Sequence, residues 1–182
     1  MLKEPTTLTT PLGGEQLELL RAGEKVLLSG FIYTARDAAH KKIFTGLQQG
    51  QPPPFELRGQ VIYYCGPTPA PRGAVIGSAG PTTSSRMDIY TPCLLELGLK
   101  GMIGKGKRSA EVRKTCLEQK AVYFAAIGGA GALIAQHIKS NELIAFPELG
   151  TEAVRRLYIE NLPLIVINDC LGNDFYEQSL GG

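Results

Sequence analysis

Apolar residues divide the chain into short elements of two kinds. Val26-Leu27-Leu28 and Phe31-Ile32-Tyr33 make Lys25 to Tyr33 a strand. Ahead of it, Gly14 to Ala22 reads as a helix with Leu17, Leu19 and Leu20 on its apolar side and Gly23 as its stop. Thr34 to Lys42 is a polar helix start, and its continuation turns Ile43, Phe44 and Leu47 inward. Three successive prolines make Gly50 to Glu56 a loop before a strand at Gln60 to Tyr64. Cys65 to Gly73 is too rich in proline for regular structure and leads through Ala74-Val75-Ile76 into a strand, a tight turn and a helix start over Ile76 to Asp88. That helix runs to about Leu97, with Pro92 predicting a kink or break near Ile89 to Thr91.

From Lys100 onward the two kinds alternate. Gly101 to Ile103 is a short strand, Ser109 caps a helix through Gln119, Val122 to Ile127 is a buried strand, and Gly131 to His137 is a helix that begins in a glycine-rich turn. Asn141 to Phe146 is a further strand, Pro147 to Ala153 a turn or short helix, and Leu157 to Asn161 and Leu164 to Asn168 two strands joined at Pro163. Helices alternate with strands in the middle while the ends are strand-rich, which favours a three-layer mixed α/β domain over a plain doubly wound sheet. No repeat or linker divides residues 1–182, so a single domain is expected, with residues 1–13 an extended Thr- and Pro-rich arm laid over a surface of this chain or a partner.

Composition narrows the function classes. A hydrophobic content of 43% over 182 residues is ample for a buried core. A net charge of only +2 gives no global case for a nucleic-acid partner, so any anion recognition must be local. The most apolar stretch, Ala121 to Ala135, contains three glycines and is shorter than the ~20 residues that span a bilayer, which points away from a membrane. The four cysteines form no Cys-x-x-Cys pair and have no nearby histidine to complete a zinc set; they read as reduced thiols, although their even number leaves disulfides open. With no signal peptide in the sequence, the simplest expected compartment is the cytoplasm.

Local anion chemistry concentrates in Gly77-Ser78-Ala79-Gly80-Pro81-Thr82-Thr83-Ser84-Ser85-Arg86-Met87-Asp88. Any of Thr82, Thr83 or Ser84 could cap the helix that follows, and backbone amides, hydroxyls and the Arg86 guanidinium would together suit a carboxylate or a phosphate. A well-capped helix after a glycine turn explains the same residues without a ligand. Arg36-Asp37-x-x-His40 opens a helix directly after a buried strand, where α/β domains present ligand-binding side chains; the plain alternative is a surface network at a helix start. Gly104-Lys105-Gly106-Lys107-Arg108-Ser109 lacks the Walker spacing, which leaves Lys105 as a local anion contact and Lys107 and Arg108 as solvated charges. Gly128-Gly129-Ala130-Gly131 is a turn or close packing, not a dinucleotide fingerprint. His137, between Ile134 and Ile138, reads as structural, and the chain has no Gly-x-Ser-x-Gly elbow.

Taken in order, Ala35-Arg36-Asp37-Ala38-Ala39-His40, Tyr64-Cys65-Gly66-Pro67, the Gly77 to Asp88 block, Lys105-Gly106-Lys107-Arg108-Ser109, Ile127-Gly128-Gly129 and Pro147-Glu148-Leu149-Gly150 resemble the C-terminal domain of class I, iron–sulfur fumarate hydratases. The same module forms the β subunit of two-subunit fumarases and of L-tartrate dehydratases. The resemblance covers roughly residues 10–176 and implies a swivelling β/β/α fold. It implies a hydro-lyase subunit that hydrates fumarate reversibly to L-malate, with L-tartrate dehydration or a non-catalytic anion-binding module as alternatives. The role of base falls on Thr82, carboxylate binding on Arg36 and Arg86, a further substrate contact on Lys105, and support of Arg36 on Asp37 and His40. No metal ligand is implied on this chain: a [4Fe–4S] cluster would be held by cysteines of a separate α subunit, in an α2β2-type assembly acting on a small dicarboxylate. Two positions depart from the expected pattern, Pro92 within a helix and Lys107 where the family block commonly has Asn.

Overall fold

The computed structural model describes residues 4–127 and 131–180. The first half of the chain forms β1 (Thr6–Thr9), α1 (Gly14–Glu18), β2 (Lys25–Thr34), α2 (Asp37–Gln48), β3 (Val61–Tyr63) and α3 (Thr91–Glu96). The second half forms β4 (Gly101–Gly104), α4 (Ala110–Gln119), β5 (Val122–Ala126), α5 (Gly131–Ala135), β6 (Ile138–Ala145), β7 (Val154–Asn168) and α6 (Phe175–Leu180). The fold is mixed α/β, around one sheet of seven strands.

Strands β1 to β5 pair in parallel in chain order. β7 then runs antiparallel to β5 and to β6. It also pairs antiparallel with β2, from Lys25 opposite Ile165 to Thr34 opposite Arg155, so that β2, β3, β4, β5 and β7 close on themselves. β1 lies against the first half of β2, and β3 against its end.

Because side chains alternate along a strand, the closed strands bury two cores. Val26, Leu28 and Ile32 of β2 meet Val61 and Tyr63 of β3, Phe124 of β5 and Leu157, Ile159 and Leu164 of β7 in one. The opposite faces of the central strands, with Ile62, Tyr64, Met102 and Tyr123, pack against Ala39 and Ile43 of α2, Leu94 and Leu95 of α3 and Val112 and Cys116 of α4. In α4 the expected cap is present: Ser109 Oγ accepts from Val112 N–H at 3.2 Å. Of the three leucines expected on one side of α1, Leu17 and Leu20 are buried while Leu19 is exposed.

Three local expectations are corrected. The residues after Tyr64 do not return to a strand at Ile76; up to Thr83 they are irregular, apart from one isolated bridge between Thr83 and Lys105. The helix expected from there to Leu97 is a 3-10 turn, Ser84–Met87, followed by the separate α3, in which Pro92 occupies the first turn. The break expected near Ile89 to Thr91 is present between the two elements: proline at that place has no N–H to lose from the helix ladder and cannot extend a preceding helix, so it sits in the first turn of the element that follows the break. Pro163 does not separate two strands: it sits opposite Leu27 within the 15-residue β7 while its carbonyl accepts from Ile127 N–H, so the ladder lacks one donor and continues. The Thr-rich arm contributes an edge strand to this chain's own sheet. α6 was not anticipated, and the reading of Gly128, Gly129 and Ala130 as a turn lies outside the described residues.

Gly104 ends β4 where the second core is tightest. A Cβ there would overlap Ser84 Oγ and stand 2.8 Å from Tyr64 Cδ2. Gly104→Ala is expected to cost about 1–3 kcal/mol, as overpacking does, whereas Gly14→Ala, with nothing within 4 Å, should leave stability unchanged or slightly raised. Urea unfolding of the two variants beside the parent checks this; equal midpoints would remove the packing argument.

Candidate functional site

Three parallel strands deliver the expected site residues to one rim. β2 ends at Thr34, and Ala35, whose N–H donates to Tyr63 O at 3.2 Å, turns the chain into α2 with Arg36 as its N-cap residue and Asp37 as its first residue. β3 ends at Tyr63. The next residue, Tyr64, donates to Ile103 O at 2.8 Å and accepts from Thr82 N–H at 2.7 Å. β4 ends at Gly104, and Lys105 after it donates its N–H to Thr82 O (3.3 Å) and accepts from Ser84 N–H (2.9 Å). Arg36, Asp37, Thr82 and Lys105 therefore converge at the carboxyl ends of β2, β3 and β4, where open α/β sheets bind ligands.

Arg86 joins them from the 3-10 turn. Its Nε donates to Asp37 Oδ1 at 2.8 Å, while Arg36 Nε stands 3.8 Å from Asp37 Oδ2 and 3.7 Å from Glu152 Oε1. One carboxylate thus lies between two guanidiniums. Gly66 makes room for Arg36, because a Cβ there would be 3.0 Å from Arg36 Cδ and 3.2 Å from Thr151 O. Arg36 is 26% exposed and Arg86 52%, and among the described residues no hydrogen bond comes from the Nη groups of either. Lys105 is exposed and makes no ion pair among the described residues. These forks and the ammonium are free to take a carboxylate.

Thr82 is half-buried, both of its backbone groups are engaged, and its hydroxyl makes no hydrogen bond among the described residues. The expected helix mouth is smaller than the sequence implied: the 3-10 turn has four residues, and neither Thr82, Thr83 nor Ser84 caps it. Ser84 Oγ instead meets Tyr123 Oη at 2.8 Å inside the second core. Positive potential at the rim comes from side chains and from the start of α2, not from the 3-10 turn.

His40 meets Arg36 at the backbone. Its Nδ1 lies 2.9 Å from Arg36 O, a pairing that requires the Nδ1–H tautomer and leaves Nε2 bare, buried and without a partner. The ring packs edge-on against Tyr64 and alongside Tyr90. Burial pushes its pKa down to about 4; the bond to Arg36 O opposes this and the Arg108 charge adds to it.

Arg108, expected in solvent, is among the buried polar residues. Its Nε donates to Asp88 Oδ1 at 2.7 Å and its Nη2 to Thr91 Oγ1 at 2.8 Å, and its guanidinium lies 5.2 Å from the Tyr64 ring and 4.9 Å from the Tyr123 ring. Lys107 beside it is exposed, as expected. The signal in the sequence was Asp88, an acid closing the hydroxyl block with no partner assigned to it. Glu152, the second acid beside Arg36, left none, because it is supplied from 116 residues downstream in sequence.

Among the described residues no group of three or more His, Cys, Asp or Glu side chains could hold a metal ion. Cys65, Cys116 and Cys170 are free and buried, and burial raises Cys65 and Cys116 to about 12, against the thiolate form that iron ligation needs. The described residues do not fit an iron–sulfur cluster.

The Fumarase C-terminus family model matches residues 3–179. The chain is 39% identical over 168 residues to fumarate hydratase 2 of Leishmania major and 38% identical over 165 residues to the aerobic class I fumarate hydratase of Escherichia coli (strain K12), matches that cover 91% and 90% of it. It spans about 30% of the length of each of these relatives. It is also 39% identical over 170 residues to the putative L(+)-tartrate dehydratase subunit beta of Methanocaldococcus jannaschii, covering 90% of this chain and 87% of that one.

His40 generates a pH signature. Its folded pKa lies below the unfolded value of 6.5, so above pH 6.5 it is neutral in both states and costs nothing. As pH falls from 6.5 toward 4, the unfolded chain takes up a proton that the folded chain refuses, and stability should drop by up to about 3 kcal/mol. Chemical unfolding at pH 7 and pH 4.5 is expected to show this loss in the parent and a smaller one in His40→Gln.

Proposed function

The chain belongs to the Fumarase C-terminus family, and from that premise we propose that it is the β subunit of a two-subunit class I fumarate hydratase, a swivelling β/β/α domain that hydrates fumarate reversibly to L-malate. What supports this reading is that Arg36, Arg86, Lys105 and Thr82, whose hydroxyl makes no hydrogen bond among the described residues, sit on segments that meet at one strand rim. A module that needed only shape has no use for three cations and an unpaired hydroxyl together. L-tartrate dehydration is the second reading, favoured by the relative matched over 87% of its length, whose printed name is a tartrate dehydratase subunit beta. The words 'subunit beta' in that name also support the separate-subunit reading; an α2β2-type assembly with an α subunit, in the cytoplasm, is part of the proposal.

The reaction needs two carboxylates gripped and a C–H proton moved at the carbon next to one of them. Arg36 and Arg86 offer planar forks for the carboxylates, and a substrate carboxylate would compete with Asp37 for Arg86. Lys105 stabilises the charge that grows on a carboxylate as the proton leaves. Thr82 Oγ takes or returns that proton. An alcohol is too weak an acid to ionise unaided, and the exposed Lys105 on the neighbouring segment is the cation this chain supplies to lower that cost. The [4Fe–4S] cluster implied by the family resemblance finds no ligand set here, so the reading assigns it to the α subunit and no step is derived through it.

Two measurements test the reading. The chain purified alone should be colourless and inactive, while anaerobic co-expression with an α subunit and cluster reconstitution should give activity in parallel assays of fumarate, malate and tartrate. A stoichiometric cluster on the isolated chain would overturn the split site. In the assembled enzyme, Thr82→Val should still assemble and bind dicarboxylate while kcat falls by roughly 10²–10⁴, with Thr82→Ser keeping part of the rate. A stable valine variant with near-normal turnover would remove Thr82 as the base.

A further inference from the structure

The segments that carry Arg86 and Lys105 are fastened to each other at two places. One fastening is made of backbone, where Lys105 N–H donates to Thr82 O and Ser84 N–H to Lys105 O. The other is electrostatic. The Asp88 carboxylate accepts from Arg108 Nε at 2.7 Å through Oδ1 and from Ser109 N–H at 2.6 Å through Oδ2, so a single side chain holds both the guanidinium and the start of α4. Thr91 extends the fastening, taking a hydrogen bond from Arg108 Nη2 and giving one to Met87 O at 2.9 Å. Of the two segments so fastened, one carries the exposed Arg86 and the other the exposed Lys105.

The Arg108 side chain is wholly buried and Asp88 is 12% exposed. A buried pair of this kind adds little stability over apolar side chains of the same volume, so stability alone does not account for a charge placed under the rim. What apolar packing cannot supply is direction: two hydrogen bonds from one guanidinium, at fixed angles, set where each segment lies. A slip at this end would move Arg86 and Lys105 relative to each other and would strain the backbone bridge at the other end, whose Ser84 and Lys105 amides would then open more often.

We infer that Asp88 and Arg108 are positioning residues for the anion site, a buried ion pair that fixes the separation of Arg86 and Lys105 and with it the span of dicarboxylate that the rim accepts. This rests on the reading of the rim as a dicarboxylate site. The pair itself touches no substrate.

The test is the double variant Asp88→Leu/Arg108→Met in the full chain, with Arg108→Lys and Lys107→Ala beside it. Thermal unfolding and amide hydrogen exchange at Ser84 and Lys105 are measured on the chain itself, and KM and kcat for fumarate, malate and tartrate on its assembly with the α subunit. The double variant is expected to unfold near the parent temperature, to exchange both amides at least tenfold faster, and to raise KM at least tenfold with a smaller change in kcat. Arg108→Lys, which keeps the charge but loses the second arm to Thr91, should fall between, and Lys107→Ala should match the parent. Parental exchange and KM in a stable double variant would reduce the pair to a structural contact. If the double variant does not fold, Arg108→Lys is read by the same two measures, and parental values there overturn the inference. An assembled parent inactive on all three substrates would sink the functional reading, and amide exchange would still decide whether the pair holds the two segments.

Discussion

Strand β7 must find hydrogen-bond partners on both of its edges, and the rest of the molecule follows from how it does so. Its residues pair with β2 on one side and with β5 and β6 on the other, so one antiparallel segment turns a row of parallel strands into a closed wall. Closure pairs β2 with β7 directly and leaves β1 and β6 as the edge strands of the sheet. It also creates an interior that only apolar side chains can fill, which is why alternate residues of β2, β3, β5 and β7 are Val, Leu, Ile, Tyr and Phe. Irregularities are needed to close so small a wall. The register shift between Leu28 and Gly30 and the left-handed Asn161, whose N–H is taken by Ser29 Oγ at 2.9 Å, supply them.

With the strands so fixed, their carboxyl ends form a rim, and polar groups the fold does not satisfy collect there. Arg36 Nε, Asp37 Oδ2 and His40 Nε2 are buried without hydrogen-bond partners, three of the six such side-chain atoms among the described residues, and all three lie in the first turn of α2 or beside it. Buried polar groups are nearly always paired, so a concentration of unpaired ones marks a place arranged for something other than stability. A few residues away, Asp88 and Arg108 satisfy each other under the same rim. The site thus combines an over-determined base with an under-satisfied surface, which is how a binding constellation stays rigid and still has valence to offer.

Local sequence signals recovered the local structure well. The alternation in β2, the Ser109 cap and the three-proline loop each depend on neighbours a few residues apart, and each is where the pattern put it. The rim residues were legible for a different reason: the family resemblance carried roles onto Arg36, Thr82, Arg86 and Lys105, and the strand ends bring these residues together, although the roles themselves rest on that resemblance. What could not be read was decided by distant partners. Pro163 looked like a strand breaker because its opposite residue, Leu27, is 136 positions away in sequence, and Arg108 looked solvated because the aromatic rings that cover it come from Tyr64, just after β3, and from Tyr123 of β5.

The parallel order of the strands also settles where a neighbouring domain or an affinity tag would leave the chain. β1 runs in the same direction as β2 beside its first half, so the described N-terminus lies at the foot of the wall, and β7 runs back to end opposite Tyr123 at the start of β5. After it, Phe175 of α6 packs over Gly23, just ahead of β2. The described N-terminus therefore lies away from the end of β2 by most of that strand's ten-residue length, roughly 30 Å, whereas α6 comes up beside the rim, where Tyr176 meets the Gly106 backbone. A tag at the N-terminus leaves the rim clear, and a segment tethered there needs about nine or more extended residues to climb the wall and reach it.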